Sequence, residues 1–183
     1  MRVIAGSARG RRLKGPGKSP GVTRPSSDLM RGAIFNSLAA MEADLTSVLD
    51  AYAGSGALGI EALSRGAERC DFVKRDRAAC AVIQDNLRLT GFEDRAEVHC
   101  LPLAGAASRL RGPYTLVLAD PPYADEGAVT ALGSLVTSGL LASDGILVLE
   151  QSARREPPAD LSGLPLFRVL RHGAGAAAIY ARR

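Results

Sequence analysis

The chain has no tryptophan, two histidines (His99 and His172) and three cysteines (Cys70, Cys80 and Cys100). An odd number of cysteines, with nine and then nineteen residues intervening, gives neither a CxxC pair nor a zinc spacing. The sequence therefore predicts small buried thiols in a reducing compartment, and no metal. Long apolar runs are also missing. The longest uncharged stretch, Gly127 to Ser143, is interrupted by glycine, serine and threonine, which excludes a membrane helix there. The arginine-rich start lacks a basic-then-apolar leader, so a cytoplasmic location is expected.

What the chain does have is a globular balance, with 46% hydrophobic and 23% charged residues over 183 positions. That length suits one domain with a core of its own. Acidic charge is scarce at the beginning: residues 1–31 hold eight basic groups against Asp28 alone, a net +7. The remaining 15 basic and 18 acidic groups net −3. A basic arm (residues 1–26) on a mildly acidic body (residues 27–183) points to an anionic polymer such as RNA, because phosphates are neutralised one cation at a time. The alternative is a solvated tail. Arg2, Arg9, Arg11, Arg12, Lys14 and Arg24 are the candidate phosphate contacts, and pairing of Arg2–Gly6 with the segment ending at Leu13 would order them as a short β-hairpin.

Beyond the proline-broken arm, Ser26 and Ser27 suit the N-cap of a helix from about Asp28 to Met41. Strand and helix signals then alternate. Strands are predicted at 47–50, 70–74, 96–101, 114–119 and 145–150, with helices at 57–65, 77–90 and 127–136. Two last strands near 167–170 and 176–180 read as a hairpin. The fold class is α/β: a Rossmann-like, mostly parallel sheet of seven strands with an antiparallel strand at one edge.

Ligands of such sheets collect at the carboxyl ends of the strands, where two segments stand out. The first, Asp50-Ala51-Tyr52-Ala53-Gly54-Ser55-Gly56, leaves a strand and opens a helix. Its glycines allow a tight turn and close approach of a ligand to the backbone. With Gly59 they also satisfy GxGxxG, so a nicotinamide dinucleotide enters as one reading. The second is Asp120-Pro121-Pro122-Tyr123, directly after a strand. Neither proline donates an N–H, and their fixed φ holds the Pro121 carbonyl in one direction. A carboxylate and that carbonyl together accept both hydrogens of an exocyclic amino group, while Tyr123 offers a flat face to the ring.

Together these blocks resemble class I S-adenosylmethionine-dependent methyltransferases, and more closely the RsmD family of bacteria, which methylate guanine N2 in 16S ribosomal RNA. The resemblance rests on Arg2–Gly6, Arg9–Leu13, Thr23–Asp28, Ile34-Phe35-Asn36, Val48 to Gly66, Asp85-Asn86-Leu87 and Asp120–Tyr123, in that order and spacing. It implies S-adenosylmethionine as cofactor and the small ribosomal subunit or its assembly intermediate as partner, with the enzyme a monomer by default. It places Asp50 to Gly56 around the methionine end of the cofactor, with Lys74, Arg75, Asp76, Cys100 and Leu101 toward its ribose and adenine. Asp120 to Tyr123 would hold the guanine amino group, Thr23–Pro25 would lie over the site, and the arginines of the arm would grip RNA.

Two departures stand against that pattern. Lys74 ends the second strand where relatives carry an acid for the ribose hydroxyls, and His99-Cys100-Leu101-Pro102 lacks the aspartate that often meets adenine. An ammonium only donates, so weaker cofactor affinity is expected unless Asp76 substitutes. Leu29 and Gly32 also replace charged residues of the family. Three other functions remain open on the sequence: an adenine-N6 or other amino-group methyltransferase, a non-catalytic RNA-binding assembly factor, and an oxidoreductase resting on GxGxxG.

Overall fold

A computed structural model describes residues 1–15, 25–122, 125 and 127–182, without the side chains of residues 25–27. Helix α1 (Pro25–Ala40) is followed by β1 (Ser47–Asp50), α2 (Ala57–Ser64), β2 (Arg69–Val73), α3 (Arg77–Thr90) and β3 (Ala96–His99). The chain continues through a short α4 (Leu103–Ala106), β4 (Tyr114–Ala119), α5 (Ala128–Thr137), β5 (Leu141–Ser152), β6 (Leu166–His172) and β7 (Gly175–Tyr180). The seven strands form one sheet in the order β3-β2-β1-β4-β5-β7-β6. The five on the β3 side are parallel, and β7 runs antiparallel to both β5 and β6. The predicted class holds, with the hairpin folded so that β6 is outermost.

Local chemistry explains most boundaries. Asp76 caps α3 by accepting the Ala79 N–H at 2.8 Å, and Gly91 ends it with φ 75°. Gly56 opens α2 with φ 79°, a conformation that side chains resist. At Gly59 a Cβ would come within 2.4 Å of the Phe72 ring, so its absence lets α2 lie close on β2. The N-cap expected at Ser26 and Ser27 is not formed ahead of α1. The helix already begins at Pro25, whose fixed φ suits a first turn. Short α4 carries too few residues for a readable period, and β5 extends well before Gly145 by pairing Leu141 with Tyr114.

Alternation divides the core in two. Val48, Leu116, Leu118, Ile146 and Val148 face the layer of α1, α2 and α3. Leu49, Val117, Ala119, Leu147 and Leu149 face α4 and α5. On the second side Asp71, Glu97 and His99 gather within 4.8 Å of one another across β2 and β3. The His99 Nε2 lies 3.9 Å from Asp71 and its Nδ1 lies 3.9 Å from Glu97. Guanidinium groups of Arg69 and Arg111 stand 3.9 Å from the same two acids, making this an ion network. The Tyr114 hydroxyl donates to Asp71, and burial raises the tyrosine's pKa.

The N-terminal segment is docked. Arg2 bridges Arg12 antiparallel, with Val3 donating to the Arg11 carbonyl at 3.0 Å and Gly10 to the Val3 carbonyl at 2.9 Å. Val3, Ala8 and Leu13 are buried in the first core. Glu61 of α2, with no solvent exposure, accepts the N–H groups of Ile4 (2.8 Å) and Ala5 (3.0 Å) and the Arg65 Nε–H (2.8 Å). Arg31 lies 3.6 Å from the same carboxylate and donates to the Arg2 carbonyl at 2.6 Å.

One cysteine expectation is corrected. Cys70 is a buried free thiol, but Cys80 at the start of α3 and the exposed Cys100 after β3 form a disulfide. The parallel pairing of β2 with β3 brings the segments after both strands side by side, at a Cα separation of 6.1 Å.

Glu61→Ala leaves the Ile4 and Ala5 N–H groups and the Arg65 Nε–H without their acceptor and removes the carboxylate that faces Arg31. It should cost about 3–5 kcal/mol in urea unfolding and speed tryptic cleavage at Arg9 to Arg12. A loss below about 1 kcal/mol with unchanged cleavage would mean that other contacts hold the segment.

Candidate active site

The sheet's reversal point lies between β1 and β4, whose neighbours run outward in opposite chain directions. At the carboxyl ends of β3, β2, β1 and β4 the structure assembles, side by side, Cys100 and Leu101, Lys74 to Asp76, Asp50 to Gly56, and Asp120 to Pro122. Tyr123 and Arg24 lie outside the described residues, as does Thr23.

Asp50 is 2% exposed, and one of its oxygens accepts the Gly59 N–H at 3.0 Å. Burial pushes its pKa from 3.8 to about 7; the Gly59 bond opposes this, Asp120 adds to it, and Lys74 opposes it. After it, Ala51 and Ala53 are buried, and Tyr52 is half-buried near Asp125. Loss of water around Tyr52, and then Asp125, raise its phenol to about 12. Among the described residues, its two chain neighbours aside, no atom stands within 4 Å of where a Cβ of Gly54 would be, so ligand atoms have room to approach this backbone. The loop is braced from behind by Asn86, fully buried, whose Nδ2 donates to the Ser55 carbonyl at 2.9 Å and the Lys14 carbonyl at 3.0 Å. A buried carboxylate, an open glycine and the start of α2 fit the amino-acid end of S-adenosylmethionine, a group carrying both an ammonium and a carboxylate.

Beyond β2, Lys74 is half-buried and its N–H donates to the His99 carbonyl at 3.0 Å. Its ammonium lowers the pKa values of Asp50 and Asp120. Arg75 and Asp76 are exposed. One Asp76 oxygen is already committed to capping α3, so its ribose-binding capacity is reduced to what the other can accept. Cys100 is exposed and Leu101 half-buried, with the Leu101 N–H turned to the His99 carbonyl at 3.1 Å.

After β4, Asp120 is exposed and Pro121 buried. Displacement of water by the surrounding protein raises the Asp120 pKa despite its open side, and Lys74 lowers it. Among the described residues, no group donates to the Pro121 carbonyl, whereas the Pro122 carbonyl accepts the Asp125 N–H at 2.8 Å. A carbonyl to which no described residue donates therefore stands beside a carboxylate.

Glu150 was not singled out from the sequence. It ends the apolar run Ile146–Leu149 on β5, and an acid closing a buried strand at its carboxyl end was the available signal. It lines a cleft with Pro121, Pro122, Gln151, Ser152 and Arg155. Burial pushes its pKa from 4.5 to about 8, with Asp120 and Asp50 adding to the shift and Arg31 opposing it. Arg2, Arg9, Arg11, Arg12 and Lys14 are all exposed on the docked segment, although Arg11 reaches the Leu89 carbonyl and Lys14 pairs with Asp85 at 2.7 Å.

Residues 1–181 match the family described as "Conserved hypothetical protein 95". The chain belongs to this family. It is 36% identical to "Putative rRNA methyltransferase YlbH" of Bacillus subtilis over the whole of both chains. It is 32% identical to "Ribosomal RNA small subunit methyltransferase D" of Escherichia coli K12, covering all of this chain and 90% of that one. The solved structure "Putative methyltransferase yhhF from Escherichia coli" superposes with a TM-score of 0.82 at 32% identity, over 100% and 97% of the two chains. The fold is that of class I, S-adenosylmethionine-dependent methyltransferases. No helix among the described residues is long and apolar enough to cross a membrane.

Asp50 and Glu150 keep their protons to higher pH folded than unfolded, where ordinary values near 3.8 and 4.5 apply. Their contribution to stability is thus fully present below those ordinary values and is lost as pH rises through about 7 and about 8. The urea midpoint should fall between about pH 4 and about pH 8, and Glu150→Gln should flatten the upper part of that fall. Parallel curves for the two proteins would remove Glu150 as a cause.

Proposed function

We propose that this protein transfers a methyl group from S-adenosylmethionine to the exocyclic N2 of a guanine in 16S ribosomal RNA of the small subunit. The observation that carries the reading is the placement of Asp120 beside the Pro121 carbonyl, to which no described residue donates, one strand away from the open glycine loop. The named relatives support an RNA substrate, since two of them are described as ribosomal RNA methyltransferases.

Asp50, the backbone of Ala51 to Gly56 and the start of α2 would hold the amino-acid end of the cofactor, with Lys74 to Asp76, Cys100 and Leu101 toward its nucleoside. The bound cofactor supplies a methyl group activated on a sulfonium sulfur. Asp120 and the Pro121 carbonyl accept the two N–H bonds of the target amine, which turns the nitrogen lone pair away from both acceptors. Tyr123 would supply the stacking face for the ring. Such positioning is worth roughly 7–11 kcal/mol in well-aligned reactions, so no strong base is needed to start the transfer. The guanine must leave its stack to reach the site, at a cost of a few kcal/mol unless the RNA already exposes it.

Incubation with radiolabelled S-adenosylmethionine and unmodified small ribosomal subunits should yield labelled N2-methylguanosine on digestion. Asp120→Ala should reduce it by at least about 100-fold. Label in N6-methyladenosine would instead favour an adenine substrate. Absence of label with the protein still bound would favour an assembly factor.

The docked segment predicts a second result. Replacing Arg9, Arg11 and Arg12 by alanine should weaken RNA binding and reduce the slope of log K against log salt by about 2–3, while cofactor affinity stays unchanged. An unchanged slope would place the RNA on another face.

A further inference from the structure

Glu150 is placed where packing alone has no use for a carboxylate. Across β7 its register partner is Ala177, which offers no polar side chain. On the other side Ala119 pairs with Leu149, so the next residues, Asp120 and Glu150, stand level on strands roughly 4.8 Å apart. Strand alternation puts Asp50 and Glu150 on the sheet face of Val48 and Val148, and Asp120 continues the same alternation beyond β4. The three acids thus share one sheet face, with Asp50 level with Leu118 on β4 and Asp120 and Glu150 two residues further along.

The first is engaged by the Gly59 N–H. Glu150 receives no hydrogen bond and makes no ion pair among the described residues, although Arg31 acts on it electrostatically. A half-buried carboxylate beside two like charges, with no hydrogen-bond donor among the described residues, is left to solvent or to a ligand.

We propose that Glu150 accepts the N1–H of the target guanine while Asp120 and the Pro121 carbonyl hold its N2 amino group, making Glu150 the residue that selects guanine. The inference rests on the guanine-N2 reading above. Guanine presents N1–H and N2–H as neighbouring donors on one edge, a match for two level acceptors on adjacent strands. A purine whose N1 is bare sets a lone pair against the carboxylate and is rejected, even if it carries the same 2-amino group.

The discriminating substrate is the same RNA with the methylated guanosine, once mapped, replaced by 2-aminopurine riboside, which keeps the 2-amino group and lacks N1–H. Assays at about pH 8.5 ionise most of the Glu150 carboxyl while most guanine N1–H groups stay protonated. The wild-type protein should favour guanine by about 10- to 100-fold in kcat/KM. Glu150→Gln keeps the side chain's shape but offers an amide N–H to a bare N1, so the preference should collapse or invert. Its melting temperature and S-adenosylmethionine affinity serve as checks on folding and on the cofactor site. A Glu150→Gln protein that loses activity on both substrates equally, keeping the wild-type ratio, would overturn the proposal while leaving the guanine reading intact. Failure of the wild-type protein to form N2-methylguanosine would overturn both.

Discussion

The Glu61 carboxylate, fully enclosed within α2, is the contact on which the functional surface depends. Removing such a charge from water is costly, and it is offset only because several donors converge on it. Two of them are backbone N–H groups of Ile4 and Ala5, so the offset requires the N-terminal segment to be in place. Ser64, one turn on, completes the attachment: its carbonyl accepts the Ser7 N–H, and its hydroxyl bonds both Ala8 and Ala5. At Gly6 a Cβ would fall 1.8 Å from that carbonyl, which leaves no space for any larger residue. Residues 1–15, with five basic groups and no acid, would otherwise repel one another into an open tail. Here its arginines are held outward by an apolar and hydrogen-bonded underside.

That attachment reaches the catalytic end of the sheet through Asn86. One side chain bonds the Lys14 backbone in both directions and the Ser55 carbonyl as well. The basic surface and the glycine loop therefore share a rigid support. RNA held by the exposed arginines would be positioned relative to the loop through this shared framework, with no hinge between them among the described residues.

Much of this was readable in the sequence, for physical reasons. Buried parallel strands such as Tyr114–Ala119 are continuous apolar runs, and α3 carries its own start and stop in Asp76 and Gly91, so their limits were legible. Contacts made at long range were not. Nothing local distinguishes Glu61 within Ala57–Ser64 from a solvated helix acid, because its role depends on a segment 56 residues away. Arg31 counts among the eight basic groups of residues 1–31, yet it is 3% exposed and spends its donors on Asp28 and the Arg2 carbonyl. Cys80 and Cys100 meet only because β2 and β3 lie side by side. Glu150 acquires meaning only when β4 and β5 are known to be neighbours.

Lys74 gains a physical rationale from the same neighbourhood. The family resemblance expects an acid there, and the lysine initially reads as damage to the cofactor site. The structure sets it to act on Asp50 and Asp120, two acids whose pKa values are raised, as is that of Glu150 beside Asp120. A fourth acid would add like charge and push Asp50 and Asp120 further toward their neutral forms, in which each has one acceptor fewer. The ammonium acts in the opposite direction on both. It gives up acceptor capacity toward a ribose but helps keep Asp50 and Asp120 ionised, the state in which they can bind an ammonium and an amino group. With Glu150 as a third acid on the same sheet face, electrostatic balance at the end of β2 favours a cation.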